Sequence, residues 1–156
     1  IENLGNENNT ILDNLNGEIL LNKIDSLNSL SPDLDQIQLL LNNWLQVKSR
    51  FLSGRGELNL SKIVTQKLIK RLDEERALDK SKKITKDIYT EIISIEPLSQ
   101  TSSRISVVAK LIYKEKIINE SGETVNETSF TPYLKVKYIL GFADKSWKLV
   151  DYVSGV

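Results

Sequence analysis

The sequence predicts an α+β domain in which N-terminal helices pack in the concave face of a curved antiparallel sheet of about four strands. Apolar residues recur at three- and four-residue spacing in the first half of the chain, and they alternate with polar residues in the second half. Helices grouped before strands are typical of α+β proteins, not of doubly wound sheets. The 156 residues are 40% hydrophobic and 27% charged, which suits one folded domain.

The start of the chain is rich in asparagine and irregular. Gly17 and the asparagines favour turns over helix interiors. We therefore expect a linker or weakly helical lead-in over residues 1–30, followed by a single α+β domain over residues 31–156. Because the chain contains no methionine and begins at Ile1, we expect it to be a piece of a longer protein. No apolar run approaches the roughly 20 residues of a membrane span, so any span is expected outside this chain.

The first helix is predicted over roughly residues 32–53. Ser31 is a candidate N-cap, and Pro32 suits the first helical position. Gly54 supplies a stop at the other end. The apolar stripe of this helix comprises Leu34, Ile37, Leu41, Trp44 and Leu45.

A second helix is predicted after the short turn SGRGELNL. One face of this helix carries Leu60, Ile63, Val64, Lys67, Leu68 and Leu72. The mixed-charge run at residues 70–76 is interpreted as a solvated helix surface and not as a binding site.

Alternating patterns predict four strands, at residues 87–96, 103–118, 133–142 and 146–153. Pro97 is expected to end the first of them. The sequence from Glu120 to Glu123 predicts a hairpin turn, because Gly122 tolerates positive φ. The apolar sides of the strands should surround the first helix and bury Trp44.

Composition excludes several classes of function. The chain contains no histidine and no cysteine, so imidazole catalysis, Ser–His and Cys–His pairs, disulfides and the usual zinc ligand sets are impossible within it. The net charge is zero, which argues against nucleic acid as a partner. The only glycine-rich candidate, Gly54-Arg55-Gly56, lacks the rest of a phosphate-binding motif. We expect no enzyme activity, no cofactor and no metal site.

The predicted strands carry the best candidates for a binding surface. Their outer sides hold Lys110, Lys114, Lys116, Lys135, Lys137 and Lys148. Neighbouring strands would gather these lysines into a basic field, although lysines also keep exposed strands from aggregating. Aromatic rings suited to an interface are Tyr113, Tyr133, Tyr138 and Trp147, and the alternative for each is a place in the core.

The order of residues resembles a known family over roughly residues 34–152. The resemblance rests on Asn43-Trp44-Leu45-Gln46-Val47-Lys48 in the first helix, on Tyr133 to Leu140, and on Trp147-Lys148-Leu149 at the end. This pattern is similar to the intermembrane-space (IMS) domain of the J-like plastid division proteins and their cyanobacterial counterpart, the ZipN family.

The resemblance implies a cone similar to that of the nuclear-transport-factor-like proteins. It also implies a non-catalytic domain of a membrane-anchored division protein, facing the periplasm of a cyanobacterium or the intermembrane space of a plastid. Such a domain is expected to receive the extracytoplasmic peptide or tail of another division protein. The residues predicted to bind this partner are Tyr113, Tyr133, Lys135, Lys137, Tyr138 and Trp147.

Two other classes of function stay open. An enzyme or a small-molecule-binding domain on the same fold would need polar groups converging in the cone. Glu115 with Tyr113 is the pair to test, although neighbours in a strand are expected to point to opposite faces. A homodimer would pair through the outer side of the sheet, where Val108, Ile112 and Ile139 sit among the lysines.

Overall fold

The computed structural model describes residues 27–56 and 60–155. Within these residues two helices precede five strands, which confirms the α+β class. The helices are α1 (Leu34–Leu52) and α2 (Gln66–Ser81). The strands are β1 (Ile84–Gln100), β2 (Arg104–Asn119), β3 (Thr124–Ser129), β4 (Leu134–Ala143) and β5 (Ser146–Ser154). The lead-in expected over residues 1–30 lies outside the described residues up to residue 26.

The strands form one antiparallel sheet in the order β1-β2-β4-β5, and β3 pairs separately with β2. Strand β1 follows one edge of β2 along almost its whole length. The other edge of β2 is shared, because β4 pairs with Arg104–Leu111 and β3 pairs with Lys114–Ile118. Beyond Leu111, towards the C-terminal end of β2, β3 therefore replaces β4 as the neighbouring strand.

The sheet has one strand more, among the described residues, than the four that the sequence located. Strand β3 was missed because its sequence TVNETS contains one apolar residue, and all six of its side chains are exposed. It is positioned by the predicted hairpin turn, where Gly122 has φ of 86° and the Asn119 N–H donates to the Glu123 carbonyl oxygen at 2.9 Å.

Strand β1 is also longer than predicted, because Pro97 does not end it. A proline lacks a backbone donor, which is tolerated at the edge of a sheet. Strand β1 occupies such an edge, and its register with β2 shifts between Pro97 and Ser99.

Helix α1 begins two residues later than predicted. The N-cap is Asp33 and not Ser31, and the first helical residue is Leu34 and not Pro32. The Asp33 Oδ1 accepts a hydrogen bond from the Gln36 N–H at 2.9 Å. The Gln36 side chain in turn accepts from the Asp33 N–H at 3.0 Å, which completes a capping box. Gly54 lies just beyond the helix with φ of 80°, as the predicted stop requires.

The predicted start of the second helix is wrong. Residues 60–65 form turns and a short parallel bridge to β5, and α2 begins only at Gln66. The Leu149 N–H donates to the Ile63 carbonyl oxygen at 2.8 Å, and the Thr65 N–H donates to the Leu149 carbonyl oxygen at 3.1 Å. The edge of β5 thus competes successfully with helix formation over these residues.

The core lies between α1, α2 and one face of the sheet, which we call the inner face. Alternate residues of β2 and β4 form the inner face: Ile105, Val107, Ala109, Leu111, Val136, Tyr138 and Leu140, all buried. Trp44 on α1 packs into this core with 2% of its surface exposed, as predicted. The opposite side, the outer face, carries the lysines.

An ion cluster ties α2 to β1. The Lys86 ammonium lies 2.6 Å from a Glu75 carboxylate oxygen and 3.3 Å from Asp79 Oδ2. The Asp79 side chain is only 5% exposed, so Lys86 compensates a carboxylate that is largely removed from water. Burial alone would lower the pKa of Lys86, but hydrogen bonding to Glu75 and the charges of both carboxylates raise it above its ordinary value.

We expect Lys86→Gln to lower the free energy of unfolding by about 2 kcal/mol at pH 7, because Asp79 is left without its cation. The folded pKa of Lys86 is raised, so its contribution is fully present below about pH 10.5, the unfolded pKa. It is lost as pH rises through the folded value. Urea melts at several pH values should therefore show the two proteins converging at alkaline pH. The exposed Lys70→Gln serves as the control, and an equal loss there would contradict the assignment.

Candidate functional site

A cavity of about 390 Å³ opens on the inner face at the end where β3 replaces β4 beside β2. We call it the inner-face cavity. Residues of all strands except β1 line it, together with residues of α1 and with Phe130 just after β3. Its aromatic lining consists of Trp44, Tyr113, Phe130, Tyr138 and Tyr152.

The aromatic rings of this cavity contact one another in pairs. Trp44 and Tyr138 each pack against Tyr152, with ring centroids 5.9 Å and 6.2 Å away. Phe130 meets Tyr113 edge-on at 5.8 Å between centroids. Tilted and edge-on geometries of this kind are favourable for aromatic pairs. The rings therefore form a largely preformed apolar surface, of which Phe130 is the exposed rim.

A single lysine enters the inner-face cavity from α1. The Lys48 Nζ lies 5.1 Å from the centroid of the Tyr152 ring and 5.8 Å from that of Trp44, and it is 3.4 Å from the Tyr152 hydroxyl oxygen. Cation–π contacts hold the ammonium against the rings. Among the described residues no carboxylate forms a salt bridge with Lys48. The cavity thus offers a cation to an incoming group.

The expectation that Tyr113 and Glu115 point to opposite faces is wrong. Residues two positions apart in a strand share a face, and the Tyr113 hydroxyl donates to Glu115 Oε1 at 2.8 Å within the cavity. Burial raises the pKa of Tyr113 most strongly, and the hydrogen bond and charge of Glu115 raise it further. Tyr113 therefore stays protonated and acts as a hydrogen-bond donor rather than as a base.

The structure places the six predicted binding residues in three regions. Tyr113 and Tyr138 line the inner-face cavity. Tyr133 lies beside the outer face, with the Lys110 Nζ 4.9 Å from its ring centroid. Lys135 and Lys137 are also on the outer face, because their neighbours along β4 are buried inward.

The sixth residue, Trp147, is fully buried at the start of β5. Its ring packs 5.1 Å from that of Phe142, and its indole N–H donates to the Ser29 carbonyl oxygen at 2.9 Å. Its backbone N–H donates to the Leu27 carbonyl oxygen at 2.8 Å. Trp147 therefore joins the segment before α1 to the sheet and does not line the inner-face cavity.

Among the lining residues that were not predicted to bind a partner, Lys48, Phe130 and Tyr152 contribute the cation and two of the rings. Lys48 follows Trp44 by four positions on α1, so helical spacing alone signals that the two share a face. Phe130 was missed together with β3. Tyr152 was hidden by a bulge, because the register between β4 and β5 shifts around Val150 and turns Tyr152 inward.

The lysines of the outer face are neighbours only in part. Lys110 and Lys135 stand directly opposite each other in the β2–β4 ladder. Lys116, in contrast, is flanked by Asp87 on β1 and Glu127 on β3. The predicted basic field is therefore concentrated on the β4 side of the sheet and neutralised near β3.

Neither a metal cluster nor a membrane span occurs in the part of the chain that the structure describes. Over residues 27–56 and 60–155, no three acidic side chains come together in a way that would hold a metal ion. Over the same residues, no helix combines the length and apolar character needed to cross a bilayer.

Comparison with known proteins gives one family and one informative structure. The sequence matches the family described as ARC6-like, IMS domain, over residues 38–150. The fold is similar to the crystal structure of the intermembrane space region of the chloroplast protein ARC6, with a TM-score of 0.61 and 14% sequence identity. That match covers 80% of this chain and 97% of the other.

A protein with a cystatin-like fold from Caulobacter vibrioides is also similar, with a TM-score of 0.48 and 14% identity over 77% of this chain and 86% of the other. No curated protein sequence matches the chain. The resemblance found in the sequence is thereby confirmed by the family match and by the fold.

The environment of Tyr113 predicts its behaviour at alkaline pH. Because burial and Glu115 raise its pKa far above the ordinary value of 10.0, Tyr113 should not ionise while the protein is folded. Tyr113→Phe should therefore leave the absorbance titration at 295 nm unchanged up to the pH of unfolding. Loss of an ionising group in Tyr113→Phe would contradict this account.

Proposed function

The chain belongs to the ARC6-like IMS domain family, and from that premise we propose that it is a non-catalytic binding module of a membrane-anchored division protein. Its ligand is an extracytoplasmic peptide or tail of another division protein, and the inner-face cavity receives it. The observation that carries this proposal is the preformed aromatic cavity with the Lys48 ammonium at its wall.

The size and lining of the cavity suit part of a peptide. A volume of about 390 Å³ lies in the range of small-ligand sites and accommodates a few side chains. Tyrosine and tryptophan rings provide large contact areas with little loss of side-chain entropy, which is why they dominate the binding energy of many interfaces. An apolar side chain of the tail would pack between Tyr113, Phe130 and Tyr138.

The polar groups of the cavity would set the direction of the bound peptide. Lys48 is available to pair with an acidic side chain or with the terminal carboxylate of a tail. Glu115 already accepts from Tyr113, and its remaining acceptor sites can take a backbone N–H. Because these two groups bear opposite charges, a peptide carrying a carboxylate would bind in one orientation.

The remaining predicted residues take different roles in the proposal. Lys135 and Lys137 lie on the outer face, where exposed charges mainly accelerate the approach of an acidic partner. Tyr133 adds a ring at the same surface, next to Lys110. Trp147 supports the site only indirectly, because it is buried in the core.

We also propose an extracytoplasmic location for the domain. The similar crystal structure is that of the intermembrane space region of the chloroplast protein ARC6. A span outside the described residues would anchor this chain at the membrane, on the periplasmic side in a cyanobacterium or the intermembrane-space side in a plastid.

A second candidate is the binding of a small molecule in the same cavity. The 2.8 Å hydrogen bond between Tyr113 and Glu115 favours it, because paired polar groups in an apolar cavity fix the orientation of small ligands. A small ligand of this kind would compete with the peptide.

We expect Lys48→Gln and Phe130→Ala each to weaken binding of the partner's tail five- to tenfold, about 1 to 1.4 kcal/mol. The first removes the cation, and the second removes the exposed aromatic rim. Calorimetry with synthetic peptides from the extracytoplasmic tails of the accompanying division proteins measures both effects.

Two variants serve as matched controls for this experiment. Lys116→Gln removes an outer-face lysine that already lies between Asp87 and Glu127, and Val125→Ala trims an exposed apolar residue of β3 outside the cavity. Both should bind normally. If the cavity variants bound as tightly as the controls, the assignment of the site would be wrong.

A further inference from the structure

A second cavity, of about 470 Å³, lies where the start of α2 meets the β4–β5 turn and the start of β2. We call it the α2 cavity. It shares no lining residue with the inner-face cavity. The proposed peptide site does not include it.

Two cations flank a glycine in the wall of the α2 cavity. Arg104 on β2 and Lys148 on β5 stand on either side of Gly141 on β4, each in direct register with it. A Cβ atom at Gly141 would overlap the Arg104 guanidinium and lie 2.8 Å from Val150 Cγ2. The guanidinium thus rests directly on the glycine, in space that any other residue would fill.

Neither cation is neutralised by the described part of the chain. No salt bridge to Arg104 or Lys148 occurs over residues 27–56 and 60–155. Asp144 also lines the α2 cavity but forms no salt bridge with either cation. Two unpaired cations beside one acidic side chain leave the cavity with a net positive charge.

The start of α2 adds hydrogen-bond donors to this wall. Thr65, the N-cap, makes no side-chain capping bond, and its Oγ1 is buried with no partner in the described structure. A buried hydroxyl without a partner is costly, so it marks a place where a ligand would be stabilising. The first turn of α2 contains no acidic residue, and Thr65 and Gln66 both line the cavity. The positive end of the helix dipole therefore faces it uncompensated.

We propose that the α2 cavity binds a phosphate group. The Arg104 guanidinium and the Lys148 ammonium would neutralise its charge, and the Thr65 hydroxyl with the first amides of α2 would donate to its oxygens. Phe142 and Val150 line the same space and would contact the organic part of a phosphate ester. The group could belong to a soluble phosphate compound or to a phospholipid headgroup, which present the same chemistry.

The direct test is a titration of the ¹⁵N-labelled chain with inorganic phosphate at constant ionic strength, with chloride as the balancing anion. Saturable shifts of the Gly141, Gln66 and Lys67 amides are expected. Arg104→Gln and Lys148→Gln should each weaken the binding at least fivefold. The control variant Lys135→Gln, which alters an outer-face lysine remote from this cavity, should leave it unchanged.

Gly141→Ala separates geometry from charge, because it keeps both cations but displaces the guanidinium. The circular dichroism spectrum shows whether this variant is folded. If the folded variant binds phosphate more weakly than the unaltered chain, the result supports the site. Two results would overturn the proposal. One is amide shifts that do not saturate with phosphate, and the other is a loss of affinity in Lys135→Gln as large as that in Arg104→Gln. Lys48→Gln should bind phosphate normally, because Lys48 does not line the α2 cavity. Phosphate binding therefore tests this site independently of the peptide site.

Vesicle binding identifies the source of the phosphate group. Vesicles containing phosphatidic acid are compared with vesicles of phosphatidylcholine alone, for the unaltered chain and for Arg104→Gln. Binding to the acidic vesicles that is lost in Arg104→Gln assigns a headgroup. Phosphate binding without vesicle binding assigns a soluble compound. Vesicle binding that persists in Arg104→Gln, together with no saturable phosphate binding, would overturn the proposal.

Discussion

The packing of α1 against the inner face of the sheet is the interaction on which the rest of the structure depends. Leu41 and Leu52 of α1 are fully buried, and Trp44 is nearly so. Burying side chains of this size contributes roughly 2 kcal/mol each. An antiparallel sheet with one apolar face requires such a cover, because water would otherwise contact the alternating Leu, Ile and Val side chains of its central strands. Helix α2 and residues 60–65 then complete the cover along β5.

The inner-face cavity arises because this cover is incomplete. Strand β2 extends past the end of its pairing with β4 and continues beside β3. Rings near this end pack on one another, and the Lys48 ammonium packs on two of them. The α2 cavity has a different origin, because Gly141 leaves room on the outer face for a guanidinium. The domain thereby has an apolar cavity on one side of its sheet and a cationic cavity on the other.

Much of this fold could be predicted from periodicity, since the positions of Trp44, Val136 and Tyr138 follow directly from helical and alternating spacing. Two of the failures share a physical cause, which is that tertiary hydrogen bonds override local patterns. Ile63 has the spacing of a helical residue, yet it pairs with the edge of β5. The bulge around Val150 reverses the alternation and hides Tyr152. The sequence placed Lys135 and Lys137 correctly on the outer side of the sheet. That the cavity lies on the opposite side became evident only from the structure.

We propose that the inner-face cavity receives a partner's tail. A nitroxide spin label on the tail peptide would locate the bound tail, because it broadens the signals of nearby backbone amides of this chain. Broadening centred on Lys48, Tyr113 and Phe130 is expected, with Lys137 and Gly141 unaffected. Broadening centred on the outer face of β4, with the cavity residues sharp, would contradict it.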